Sequence, residues 1–476
     1  MENSKKMTWY TLAFMAFSTV WGFGNVLNGF VYFNGIQVIF SWVMMFALYF
    51  VPYALMVGEL GSAFKNSGGG VSSWIHETIS PKFAYYAGWT YWACHVTYIA
   101  SKGSGGLKAL SWMVLQNGTT YDTFPTIAVL LATLAVLLFF SWVASRGLNP
   151  LKKLATIAGT SMFVMSILYI LMMFAAPVIN PNAEYVTMEF TKEALIPKFN
   201  VGYFTSLSIL VFAVGGCEKI SPYVNKVKDP SKGFPKGMIA LAVMVMVCAI
   251  LGTIAMGKMF DPTIINESKE SFNSYVSNGS YWAFQKLGEY YGVGNALLII
   301  YAACNAIGQF STLVLSIDAP LRMLLDNEDA RQFVPTKLLK KNDKGAYING
   351  IWMVVALSGS IILIQSFVPG AAAVLTQLNK LNSVTMPLRY LWVFAAYIAL
   401  RKAAGKFHPE YRFVKNQGIA LTAGVWCFFV TAACCLLGMY VEGDMASTAL
   451  NVITPFVLTA LGLILPEIKK REKTNA

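Results

Sequence analysis

Apolar runs of about twenty residues, the length needed to cross a bilayer core of about 30 Å, recur along this chain. Twelve can be marked: roughly 8–33, 36–64, 83–112, 124–145, 154–178, 203–224, 235–258, 291–321, 349–367, 371–399, 417–441 and 446–466. Only 12% of the 476 residues are charged, about half the share in a soluble domain. The chain therefore reads as an all-α integral membrane protein with twelve transmembrane helices. Its net charge of +13 does not point to nucleic acid. With the N-terminus inside, most Lys and Arg fall in segments on the cytoplasmic side, which is the positive-inside bias. Both termini are then cytoplasmic, and the partner of this basic surface is the lipid bilayer. Met1 to Lys6 form a short polar tail ahead of a span too long for a cleaved signal, so the first helix is expected to direct insertion. The seven cysteines lie in apolar spans without ligand spacing and read as free core thiols.

Two of the spans are punctured by glycine. The first contains Val20-Trp21-Gly22-Phe23-Gly24-Asn25, and the sixth contains Phe212-Ala213-Val214-Gly215-Gly216-Cys217-Glu218. Glycine costs about 1 kcal/mol in a helix interior, and unpaired backbone at membrane depth is tolerated only beside protein or a water-filled cavity. Small residues also allow close helix packing, which is the plain alternative for Gly22 and Gly24 taken alone. Matching breaks in two halves point instead to a transporter substrate site. Five spans separate the breaks, and an odd repeat length inverts the second copy. The expected fold is a five-plus-five inverted repeat, about 8–178 and 203–399, with additional helices over about 417–466.

Broken helices supply a site without catalysis. Freed amides around Phe23, Gly24 and Asn25, at a half-helix N-terminus, suit a carboxylate. Freed carbonyls near Trp21 and Phe212 suit an ammonium. Trp21 to Asn25 and Phe212 to Gly215 are thus candidate substrate-binding residues for a zwitterion, with Phe212 either closing over it or simply packing. Intramembrane charges are rare and usually functional. Glu218 either takes up a proton or pairs with a cation such as Lys219 or Lys380 and holds the break in shape. Lys380 either meets an anionic substrate group, serves as a proton site, or forms half of an ion pair. His95 and Lys102 are seven residues apart on one helix face with Tyr91 and Tyr98. His95 suits a pH-sensitive step or a structural hydrogen bond, and Lys102 can snorkel. Asp318 and Arg322 read as a local helix pair. Glu59 reads as a cytoplasmic lock or an interfacial charge. The segment 322–348 reads as an amphipathic surface helix or a solvated loop. No metal set, nucleotide loop or enzyme constellation is apparent, and no cofactor is expected.

Phe212-Ala-Val-Gly215-Gly-Cys-Glu218, followed by Val227-Lys228-Asp229-Pro230 and Pro235, resembles the sixth-helix signature of the amino acid–polyamine–organocation superfamily. Gly58-Glu59-Leu60-Gly61-Ser62 with Gly68-Gly69-Gly70 and Trp74 is similar to its second-helix end, and Gly22-Phe23-Gly24 stands where it has Gly-Ser-Gly. The Phe333-Val-Pro335 loop resembles the glutamate:GABA antiporter branch. The resemblance implies amino acid transport by alternating access, with exchange or proton coupling, in a bacterial plasma (inner) membrane. It also makes Phe212 the sixth-helix gate and Glu218 an acid tied to pH response in some members. Phe23 departs from the small polar residue of the first-helix motif. Span five carries Thr160 and Ser161 where some proton-coupled members have a lysine. The expectation is a secondary active transporter of an amino acid or amine, not an enzyme. A channel or sensor on the same scaffold is the rival, and a membrane-embedded enzyme a more distant one.

Overall fold

The structure is a computed structural model and describes residues 6–326, 330–364, 371–403 and 405–474. Every regular element among them is helical, the only β features being two isolated bridges. Among the described residues, nine helices are long and apolar enough to cross a bilayer. Large apolar side chains such as Leu171, Phe429 and Phe456 lie exposed on their outer faces, as lipid-facing residues do. This is a multi-pass membrane protein.

Three of the expected spans fall outside those nine, each for a local reason. The first is two short helices, α1 (Trp9–Val20) and α2 (Phe23–Tyr32), with Trp21 and Gly22 extended between them. The second expected span forms α3 (Gly35–Ala63), with one wide turn at Phe46–Phe50. The third, α4 (Pro81–Leu115), is the longest helix at 35 residues; His95, Lys102 and Lys108 lower its apolarity. Ile348–Ile364 is apolar but only 17 residues long, and the rest of that expected span lies outside the described residues.

The helix α5 (Leu148–Ile179) crosses α1 with backbones in contact. A Cβ on Gly159 would come within 1.8 Å of the Phe14 carbonyl oxygen, so only glycine permits the crossing. The sixth expected span is α6 (Val201–Val214), a break at Gly215 and Gly216, and a 3-10 helix over Cys217–Lys226. Gly216 has φ +105°, a left-handed conformation that glycine adopts without cost.

Two segments differ from the sequence reading. The stretch 259–290, which lies between two of the expected spans, contains α7 (Lys269–Tyr290), capped by the Ser268 hydroxyl accepting from the Ser271 amide. Its polar composition hid it from a search for apolar runs. Within 322–348, the described residues form the end of α8 (Ala296–Leu325) and two short turns, Ala330–Phe333 and Thr336–Leu339, rather than one surface helix. Phe333 stacks on Tyr85 at 5.3 Å and anchors that turn to α4. The tenth expected span divides into α9 (Ala371–Leu388) and α10 (Tyr390–Lys402) around Arg389. Pro387 removes a helical donor and crowds the preceding turn there.

All seven cysteines are free thiols, six of them buried. The two breaks lie side by side in the middle of the bundle, against α4, α8 and the α9–α10 junction.

Candidate functional site

The first break is built from backbone. The Trp21 amide donates to Phe17 O at 2.8 Å and ends α1, and the Asn25 amide donates to Gly22 O at 2.9 Å. Phe23 and Gly24 occupy the first turn of α2, where amides have no carbonyl one turn behind within their own helix. A Cβ on Gly24 would meet nothing within 4 Å, so this turn opens onto free space. The Phe23 side chain points elsewhere. It is 1% exposed and packs edge-on against Tyr169, Phe284 and Tyr301 at 4.7, 4.9 and 5.6 Å. Only its backbone remains at the break, so the departure from the small polar residue of the motif is absorbed by an aromatic core.

The second break faces the first. Asn25 Nδ2 donates to Val20 O at 3.3 Å and to Ala213 O at 3.2 Å. Two carbonyls near Trp21 and Phe212, the expected ammonium acceptors, are therefore already engaged by Asn25. Gly215 lies against Tyr390, whose ring would be 2.2 Å from an added Cβ. Val214 is fully buried and does not face the open space. Phe212 does, with its ring edge-to-face with Tyr98 at 6.2 Å.

A cavity of about 430 Å³ joins the two breaks, lined by Trp21, Gly22, Gly24, Asn25, Phe212 and Gly215. It runs past Ser277 and Tyr281 of α7 to the loop of Tyr440 and Glu442, which are exposed. Among the described residues, five cations line it, Lys102, Lys108, Lys219, Lys380 and Arg389, with Glu442 the one carboxylate.

Glu218 stands behind this lining and is fully buried. Its carboxylate pairs with Arg389, Nε to Oε1 at 3.3 Å, and accepts from the Tyr53 hydroxyl. Neither Lys219 nor Lys380, the partners considered from sequence, fills that place. Arg389 also lies over Tyr91 and Tyr390, each 5.1 Å from the ring centre. His95 supports it from the other side: Nδ1 donates to Tyr91 O at 2.6 Å, which leaves Nε2 to accept from Arg389 Nη1 at 3.3 Å. This single tautomer satisfies both contacts. Lys219 Nζ donates to Ser316 Oγ at 2.6 Å. Lys380 lies on the cavity wall near the pair that Asn382 makes with Thr97 and Ser101 of α4.

Away from the cavity, toward the end of the bundle that carries the N-terminus, the packing is closed by polar locks. Tyr223 donates to Asp318 Oδ2 at 2.6 Å, and Arg322 pairs with Asp318 at 2.7 Å. On the cavity wall itself, Thr312 donates to Ser18 O at 2.9 Å. Glu59 is buried rather than interfacial. It pairs with Arg401 at 2.7 Å and accepts from the Phe413 amide at 2.8 Å.

Sequence reasoning missed Arg389 and the cavity role of Lys108. Both are cations inside apolar runs, and the rule that singled out Lys380 applies to them equally.

Among the described residues, no cluster of His, Cys, Asp or Glu is arranged to hold a metal ion. A helical membrane bundle with two facing breaks and a polar cavity between them is the architecture of a transporter. The profile of the amino acid permease family matches residues 7–463. The chain belongs to that family, and so to the amino acid–polyamine–organocation superfamily; it is a membrane transporter of amino acids, not an enzyme. The aspartate/glutamate permease AcaP of Lactococcus lactis is 47% identical over all of this chain and 97% of its own length. The inner membrane transporter YjeM of Salmonella typhimurium is 24% identical over 90% of this chain and 89% of its own. The probable agmatine/putrescine antiporter AguD of Lactococcus lactis is 22% identical over 80% and 77%.

Proposed function

We propose that this protein is a secondary active transporter of acidic amino acids, working by alternating access as an exchanger or with proton coupling. The observation that carries the substrate class is the cavity lining, where Lys102, Lys219 and Lys380 present ammonium groups. A dicarboxylic amino acid brings a second negative charge to these ammonium groups, whereas a diamine meets like charges in a confined space. The 47% identical relative, named for aspartate and glutamate, supports the same class.

In this reading the substrate α-carboxylate takes the free first-turn amides of Phe23 and Gly24. Phe212 closes over it, and Glu218, paired with Arg389, fixes the second break. Lys380 draws anions into the mouth. His95 positions Arg389. The fold is read as twelve spans in a five-plus-five inverted repeat, about 8–178 and 203–399, with two further helices and both termini cytoplasmic in the plasma (inner) membrane.

Counterflow tests this. Vesicles holding the purified protein are loaded with one unlabelled amino acid at a time, and entry of labelled aspartate is followed. Internal aspartate or glutamate drives transient accumulation, while lysine or putrescine does not. An imposed pH gradient separates exchange from proton coupling. Unsaturable flux, chemical conversion of the label, or a preference for cationic substrates overturns the proposal.

A further inference from the structure

Among the described residues, Lys102, Lys219 and Arg389 at the floor of the cavity outnumber the one carboxylate behind them, Glu218. Glu218 is committed to Arg389 and Tyr53. Lys219, on the next residue and 2% exposed, has the neutral Ser316 hydroxyl at 2.6 Å and the Tyr98 ring 5.2 Å from its ammonium. Lys102, one helical turn along α4 from Tyr98, lies over the same ring at 4.9 Å. One aromatic ring thus holds two ammonium groups, which repel each other where little water screens them. An ammonium has three donors, and Ser316 takes one from Lys219. Burying such a group is favourable only when a counter-charge completes it. Both lysines line the cavity, so an anion reaching the Tyr98 ring meets both.

The substrate carries two carboxylates of different kind. The α-carboxylate is matched by the free amides at the first break, which read any amino acid alike. The second carboxylate distinguishes aspartate and glutamate from all neutral amino acids. We propose that Lys102 and Lys219, presented together by Tyr98, bind the side-chain carboxylate of the substrate and set the preference for acidic amino acids. Phe212, whose ring meets Tyr98 edge-on, then seals the group that the lysines hold. This rests on the acidic-substrate reading above, and the experiment separates the two.

Vesicles containing the wild type, Lys102→Met, Lys102→Arg, Lys219→Met and Lys219→Arg are assayed for uptake of labelled aspartate, with unlabelled aspartate or asparagine as competitor. Asparagine keeps the shape and removes the charge. Each Met variant is expected to raise the KM for aspartate about tenfold or more, since a hydrogen bond to a charged group is lost. It narrows the aspartate-over-asparagine preference by a similar factor and leaves asparagine competition nearly unchanged. The Arg variants retain most of the preference. Where Lys219→Met does not assemble, Lys219→Arg and the partly exposed Lys102→Met carry the test. A wild type with no preference for aspartate defeats the acidic-substrate reading itself. A wild-type preference retained in either folded Met variant overturns the lysine pair alone.

Discussion

The Arg389–Glu218 pair offers the sharpest energetic test of the bundle. Both side chains are buried, at 3% and 0% exposure, and the pair joins residues 171 apart in sequence. Replacing Arg389 with Leu leaves the Glu218 carboxylate in the bundle interior without its cation, facing the Tyr53 hydroxyl. It also strips the acceptor His95 Nε2 of its donor and removes the cation from Tyr91 and Tyr390. Breaking a buried pair from one side costs about 3–5 kcal/mol. Glu218→Gln strands the guanidinium in turn and should cost a comparable amount, less what His95 and the rings return. The double variant strands neither charge. It should recover about half or more of the sum of the single losses, because an apolar or neutral replacement of a whole buried pair is often close to neutral. The assay is the temperature at which half of the detergent-solubilised protein leaves the monodisperse size-exclusion peak. An Arg389→Leu variant as heat-resistant as the wild type, or a double variant whose loss equals the sum of the singles, would refute the reasoning.

Other predictions follow from single residues. Gly24→Leu should insert and fold, because its Cβ meets nothing within 4 Å, yet lose transport, because the side chain fills the carboxylate end of the cavity; normal aspartate uptake would overturn that placement. Phe23→Ala should lose about 3–5 kcal/mol of stability, as other fully buried phenylalanines do, and the same heating assay reads it. If Phe23→Ala instead kept its heat resistance and lost only affinity, the aromatic packing of this side chain would be misassigned. At the loop 405–413, a hydrogen bond from Lys65, at 2.7 Å, holds the Glu410 carboxyl below its ordinary range. A carboxyl held low tethers the loop above the ordinary carboxylate range and releases it as pH falls through its lowered value. Hydrogen exchange of residues 405–413, corrected for intrinsic rates, should rise only on acidification, and Lys65→Ala should remove that dependence.

The breaks were legible because glycine is costly inside a helix, and Gly22 and Gly215-Gly216 sit in runs that are otherwise helical. Phe212, Lys380 and Lys102 stand on the cavity wall for a related reason: spans without periodic polarity leave few polar or gating residues to choose among. The partner of Glu218 was not legible. Lys219 is adjacent in sequence, but the pair is made by Arg389, brought in by a turn at Pro387 that only the packed bundle fixes. Phe23 misleads in the opposite direction. Its position in the motif suggests the site, whereas the first turn of α2 sends its side chain away from the break into the buried rings of Tyr169 and Phe284. The helix Lys269–Tyr290 escaped because its signals are a Ser268 cap and polar length, neither of which registers in a search for apolar runs.

Asn25 has a consequence for how the molecule moves. Its amide is a staple between the end of the first half-helix, at Val20, and the end of the sixth, at Ala213. Under the alternating access proposed above, that staple would let the two broken helices travel as one cradle and hold the guest in a grip of constant shape, with the surrounding helices supplying the motion.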